Sequence, residues 1–305
     1  MAADRVRRRV VTGTLALAGG LARSLNARAA ELNQRPIPRT GETLPAIGLG
    51  TWLTFDIGTG RFDLARRRQV LDVFFSGGGR LIDSSPMYGR AEAVVGELLA
   101  QTGRAASTFS ATKVWTHGRE AGIGQMNDSF KLWRLTRFDL MQIHNMVDWP
   151  AHVRTLKAWK AEGRVRYIGI TTSHGRRHAE MEKAIATEPF DFVQFTYNFA
   201  DRDVERRLLP LAAERGVAVI ANRPFDGGDL FARVAGRPLP VWAREFDCET
   251  WAAFFLKFVV SHPAVTCAIP ATSQATHMVE NMGALYGRLP DAAARERMIR
   301  YFEAL

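Results

Sequence analysis

From residue 46 onward, short apolar runs recur along the chain, each followed by a segment whose apolar positions repeat with helical spacing. The runs cover residues 46–50, 80–83, 109–114, 139–144, 166–170, 192–195, 217–221 and 266–269. They are short, rich in β-formers and without clean alternation, which predicts strands buried on both faces of a parallel sheet. Between them, residues 64–75 set Leu64, Val70, Leu71, Phe74 and Phe75 on one side, and residues 92–99 turn Val94, Val95, Leu98 and Leu99 inward. Residues 153–162 repeat Val153, Leu156 and Trp159, and residues 203–215 hold Leu208, Leu209, Leu211 and Ala212 between charges. Each predicts an amphipathic helix laid on a sheet. Eight strands alternating with helices, with no break in composition, predict an α/β fold of the (β/α)8 TIM-barrel type rather than an open sheet. Before the first strand, residues 36–44 contain the turn signal Arg39-Thr40-Gly41-Glu42, which predicts a small N-terminal hairpin on the barrel floor. A long Gly/Pro-containing stretch separates Arg223 from Thr250, and loops of that length in compact domains are usually functional. An extra C-terminal helix over 291–305 is expected outside the barrel.

Composition adds one feature. The 305 residues are 47% hydrophobic and 24% charged, an ordinary globular balance, and α/β barrels of this length commonly form one domain. The net charge of +10 suggests nucleic acid until it is located: residues 1–40 hold eight arginines against Asp4 and Glu31. The rest of the chain carries a net of only +4 and no basic stripe, so no nucleic-acid partner is expected. Nor does it hold an apolar run long enough for a membrane span. Cys248 and Cys267 give neither a disulfide framework nor metal-ligand spacing, and no metal is expected.

The basic excess sits in an organised segment. Arg7-Arg8-Arg9 precedes a mildly apolar stretch over 10–21 and the small-x-small triplet Ala27-Arg28-Ala29. That order resembles an export signal of the twin-arginine type, which would make the export machinery a partner and the bacterial periplasm or exterior the destination. A disordered arm on a cytoplasmic enzyme and a mitochondrial-type presequence are the alternatives. Residues 1–30 are therefore set apart from a single barrel domain over 31–305.

Active sites of such barrels lie at the C-terminal strand ends. An Asp, a Tyr, a Lys and a His fall there: Asp83 and Tyr88 after the second run, Lys113 in the third, His144 closing the fourth. Singly, each has an ordinary explanation as a cap, a wall residue, a solvated cation or a core imidazole. Together they suit proton transfer. A phenol is a poor acid at neutral pH, a nearby ammonium lowers its pKa, and a lysine inside an apolar barrel needs a carboxylate to stay charged. A neutral imidazole hydrogen-bonds a substrate carbonyl.

Six ordered segments resemble the aldo-keto reductase superfamily. They are Gly48-Leu49-Gly50-Thr51-Trp52, Ile82-Asp83-Ser84-Ser85-Pro86-Met87-Tyr88-Gly89, Ala111-Thr112-Lys113-Val114, Asp139-Leu140-Met141-Gln142-Ile143-His144-Asn145, Gly163-Arg164-Val165-Arg166-Tyr167-Ile168-Gly169-Ile170, and Ile269-Pro270-Ala271-Thr272 running on to Glu280-Asn281. The resemblance implies NAD(P)H-dependent reduction of a small aldehyde or ketone, with Asp83, Tyr88, Lys113 and His144 as the catalytic tetrad and Tyr88 as its general acid.

It implies a cofactor site as well. Gln194, with Thr171 and Thr172 where the family has Ser-Asn, would hold the nicotinamide carboxamide. Asn222 stands where many members stack an aromatic ring, a task left to Phe225 or a tryptophan. Thr51 and Trp52 lie at the first strand end, and Trp52, Trp115 and Trp149 are candidate pocket walls. Arg223-Pro224-Phe225 opens the pyrophosphate loop. Ala271 and His277 replace the basic residues that meet a 2′-phosphate, leaving Thr272, Ser273 and the following helix N-terminus, while Glu280 and Asn281 match the adenine contacts. NADPH is the expected cofactor and NADH the alternative. A cofactor-binding sensor of the same fold with little turnover is the alternative function.

Overall fold

The computed structural model describes residues 32–305 apart from residue 59, so the expected export segment or arm over 1–30 lies outside the described residues. The hairpin forms: β1 (Gln34–Pro36) pairs antiparallel with β2 (Thr43–Pro45). Its Ile37 and Leu44 join Leu81, Phe109, Leu140, Tyr167 and Phe192 in the inner core, which makes the hairpin the floor of the barrel.

Above it stand β3 (Leu49–Gly50), β4 (Leu81–Asp83), β5 (Phe109–Val114), β6 (Phe138–Ile143), β7 (Val165–Thr171), β8 (Phe192–Thr196), β9 (Ala218–Asn222) and β10 (Cys267–Ala268). They form one sheet in chain order, every pair parallel. Parallel bridges Ile47–Ala268 and Gly50–Ala271 join its first strand to its last, with Gly50 N donating to Pro270 O at 3.0 Å. Glycine is required at that seam, because a Cβ on Gly50 would lie 2.8 Å from Ile269 O.

The helices α1 (Arg61–Ser76), α2 (Ala91–Thr102), α3 (Arg119–Trp133), α4 (Trp149–Ala161), α5 (His178–Thr187) and α6 (Leu208–Glu214) each follow a strand. Their buried stripes, such as Val94, Val95, Leu98 and Leu99 of α2, pack on the outward strand residues to make a second apolar layer. Three differences from the sequence pattern have plain causes. Residues 203–215 are not one helix but a single turn at Asp203–Glu205 followed by α6, since Arg207 leaves helical geometry. The stretch after Arg223 is not an open loop: it holds α7 (Asp229–Arg233) and a turn at Val241–Phe246. The apolar pattern does not mark α3, because Gly122 and Ser129 occupy half of its buried face.

Then come α8 (Trp251–Val260), α9 (Ala275–Gly283) and α10 (Ala292–Glu303). The last is the expected outer helix, N-capped by Asp291 and tied down by Arg295, which donates to Ser261 Oγ and Glu205 Oε1 at 2.9 Å each. Among the described residues no helix is long and apolar enough to cross a membrane.

Candidate functional site

The hairpin floors one end of the barrel, and at the other the strand ends surround a cavity of about 340 Å³. Its chemistry begins with Asp83, the last residue of β4, which is buried. Carboxylate Oδ2 accepts from Lys113 Nζ at 2.5 Å, while Oδ1 accepts from Gln142 Nε2 at 2.9 Å and Gln194 Nε2 at 3.0 Å. Asp83 O accepts from Thr51 Oγ1 at 3.0 Å, so one residue gathers donors from four other segments.

Lys113 is fully buried beneath the cavity and also donates to Ser84 O at 2.8 Å. Burial lowers its pKa, but the Asp83 carboxylate that accepts from it, helped by Tyr88 when that phenol ionises, outweighs burial, and its pKa stands above the ordinary lysine value. Tyr88 sits in the turn after β4, with Lys113 Nζ 5.0 Å from its ring centroid and the His144 ring edge-on at 5.5 Å. The expected lowering of its pKa does not win. Burial raises it, Lys113 opposes, Asp83 raises it again, and the net shift is upward, which keeps the phenol protonated at neutral pH.

His144 follows β6. Burial first, and the Lys113 charge second, hold its pKa well below the ordinary value, so the ring is neutral. Its Nδ1 lies 2.8 Å from Ser85 Oγ. That oxygen accepts from Met87 N at 3.2 Å; with its own hydrogen donated to Nδ1, the imidazole proton sits on Nε2. Sequence reasoning gave Ser85 and Gln142 no role: both stood in the matched segments, but nothing in the spacing said what they would touch. Ser85→Ala removes the group that selects the tautomer. We expect it to lower kcat about tenfold with little change in cofactor affinity, as a lost hydrogen bond to a positioned ring; unchanged kcat would dismiss this role.

Thr51, Trp52, Thr171, Gln194, Asn222, Arg223, Pro224, Phe225 and Ala271 line the same cavity with Asp83, Tyr88 and His144. Thr172, Thr272, Ser273, His277, Glu280 and Asn281 are not among its lining residues: Thr172 is turned away, its hydroxyl donating to Arg176 O at 2.7 Å, and the others lie on the loop after β10 or on α9. Asn222 is held by Thr196 Oγ1 and Thr172 O at 2.9 Å each, a polar clamp where an aromatic face was in question. Trp115 and Trp149 stand off the cavity. Main-chain groups of Trp115 are clasped by Gln125, and Trp149 Nε1 donates to Glu180 at 2.8 Å. Among the described residues no group of three or more His, Cys, Asp or Glu side chains gathers as a metal site.

Two buried polar atoms are left without a partner at positions the resemblance gives to a dinucleotide, Arg223 Nε and Asn281 Nδ2. Beside Arg223, Gly227 and Gly228 take φ values of +72° and +114°, and a Cβ on Gly227 would sit 3.3 Å from the guanidinium. The main-chain amide of the exposed Gly227, beside an arginine held by Asp226, is the chemistry a pyrophosphate needs, and the residues present fit such a cofactor.

Comparison with known proteins decides the family. The family model described as the aldo/keto reductase family matches residues 46–296. This chain belongs to that family. Methylglyoxal reductase YeaE of Escherichia coli is 26% identical over 270 residues, covering 86% of this chain and 93% of that protein. The NADH-specific methylglyoxal reductase of Escherichia coli is 27% identical, covering 68% of this chain and 72% of its own length. Among solved structures, an aldo-keto reductase from Klebsiella pneumoniae in complex with NADPH superposes with a TM-score of 0.73 at 23% identity, covering 89% of this chain and 95% of that one. The parallel barrel with its N-terminal hairpin is thus the fold expected of an aldo/keto reductase.

Proposed function

We propose that this aldo/keto reductase reduces an aldehyde or ketone to the alcohol, with Tyr88 as general acid and NADPH as the preferred cofactor. The observation that carries the reading is the meeting of a protonated phenol and a neutral imidazole in one cavity above a buried Lys113–Asp83 pair. When bound, a dihydronicotinamide supplies the hydride. His144 donates Nε2–H to the substrate carbonyl and fixes its angle. Tyr88 gives its proton to the same oxygen as negative charge builds there, and Lys113 stabilises the phenolate left behind. Asp83 keeps Lys113 charged throughout. Gln194, Thr171 and Asn222 would hold the nicotinamide end, and Arg223 with the Gly227 amide the pyrophosphate. Thr272, Ser273 and His277 would meet a 2′-phosphate, Glu280 and Asn281 the adenine.

The relatives named for methylglyoxal supply the test substrate. The expected result is steady oxidation of NADPH by methylglyoxal and, by fluorescence titration, tighter binding of NADPH than of NADH. Tight binding of either nucleotide without turnover of any carbonyl would favour the sensor. Tighter binding of NADH would reverse the cofactor preference, in keeping with Ala271 where a basic residue is usual. Residues 1–30 are proposed to direct export.

A further inference from the structure

Outside the four residues of the proposed proton relay, a second turn carries positive charge into the same cavity. After β7 the chain turns through Ser173, His174 and Arg176, all three lining the cavity beside Asn145, the residue next to His144. The turn is well fixed. His174 takes φ +59°, its N donates to Thr196 Oγ1 at 3.0 Å, and Arg176 O accepts from Thr172 Oγ1 at 2.7 Å. Arg176 is steered by the turn itself: Nε donates to Ser173 O at 3.2 Å, and Nη2 to His174 Nδ1 at 3.3 Å.

The surrounding charges single this arginine out. Arg177 pairs with Glu180 at 2.7 Å and Arg223 with Asp226 at 2.9 Å, whereas Arg176 makes no ion pair among the described residues. His174 Nδ1 accepts from Arg176, which puts the ring proton on Nε2. Burial, then Arg223 and Arg176, lower its pKa, so the ring is neutral, a donor that does not compete with the arginine for charge. The turn therefore offers one unneutralised guanidinium and one imidazole N–H, while the Ser173 hydroxyl, 3.0 Å from His174 Nδ1, donates to the ring and fixes it. Trp52, Met87 and Phe231 make the walls largely apolar. Arg176 is exposed at the cavity rim, where solvent screens it in part; a cation held in one orientation there still favours an anionic oxygen that brings its own charge. The cofactor's phosphates already have Arg223 and the main-chain amide of the exposed Gly227, which leaves Arg176 for the substrate.

We propose that the turn of Ser173, His174 and Arg176 is an anion subsite that selects carbonyl substrates bearing a carboxylate or phosphate near the reacting group. The proposal rests on the reductase reading above and adds the chemical class of the substrate.

The test compares succinic semialdehyde with butanal, and 4-carboxybenzaldehyde with benzaldehyde, on the full chain with NADPH. The wild type should show the higher kcat/KM for the charged member of at least one pair. Arg176→Gln should lower that charged-to-neutral ratio about tenfold, the strength of one hydrogen bond to a charged group, mainly through KM. Arg176→Lys should recover part of it, and added salt should lower the wild-type ratio. A ratio unchanged in Arg176→Gln overturns the proposal while leaving the reductase reading intact. So does an unchanged ratio accompanied by a weaker NADPH Kd, which would assign the cation to the cofactor. Turnover of none of the four compounds, with methylglyoxal still reduced, overturns this proposal alone; turnover of neither the four compounds nor methylglyoxal overturns the reductase reading and this proposal with it.

Discussion

Tyr88→Phe is expected to lose about 10²–10⁴ of kcat, the usual contribution of a positioned general acid, while binding NADPH as the wild type does. The change removes one oxygen and leaves the ring, so the edge contact with His144 and the place above Lys113 persist. The pH profile of reduction should share the same cause. The proton donor has a raised pKa, so reduction should not fall with rising pH until the alkaline range where that phenol ionises. The imidazole is needed neutral and its pKa is lowered, so activity should hold on the acid side to well below the ordinary histidine value and fall only as His144 gains a proton. Single-turnover rates with saturating NADPH, measured across pH on both proteins, check the prediction. Equal rates in the two would remove Tyr88 from the role.

Lys113→Met is the second large effect, and it falls on stability as well as on rate. Both members of the pair are essentially without solvent, at 0% and 2% side-chain exposure. Removing one partner leaves a buried carboxylate uncompensated, which typically costs about 3–5 kcal/mol. Thermal and urea unfolding of Lys113→Met should show a loss of that size. Adding Asp83→Asn should restore a good part of the stability, because the amide still offers Oδ1 to Gln142 and Gln194 while the stranded charge is gone. Activity should stay low in the double variant, since nothing then stabilises a phenolate at Tyr88. A Lys113→Met protein as stable as the wild type would mean that Asp83 is not a buried charge.

The two predictions depend on residues that differ in how far the chain alone reveals them. All eight strands were legible, because a run of apolar β-formers with no alternation has few other uses. Asp83, Tyr88, Lys113 and His144 were legible as candidates because they fall where strands end. Ser85 and Gln142 were not, since a short hydroxyl and an amide become informative only when their partners are fixed by the curl of the sheet: Gln142 on β6 reaches Asp83 on β4 past the intervening β5. The direction of the Tyr88 shift was misjudged for a related reason. Sequence announces the neighbouring ammonium, whereas the desolvation that overrides it is a property of the packed cavity. The free charge of Arg176 was hidden among neighbouring basic residues until folding showed which of them had carboxylates.

The strip where the barrel shuts, Gly48 and Gly50 against Ala268 and Ala271, has a consequence for how such a catalyst can diversify. Gly50, Ile269 and Ala271 form part of the cavity wall, and at Gly50 there is no room even for a methyl group. That part of the wall resists reshaping by point substitution, because added bulk would prise two short strands apart. New guests must instead be accommodated by the turns that ring the opposite rim, which can lengthen or change charge without loosening the staves beneath them.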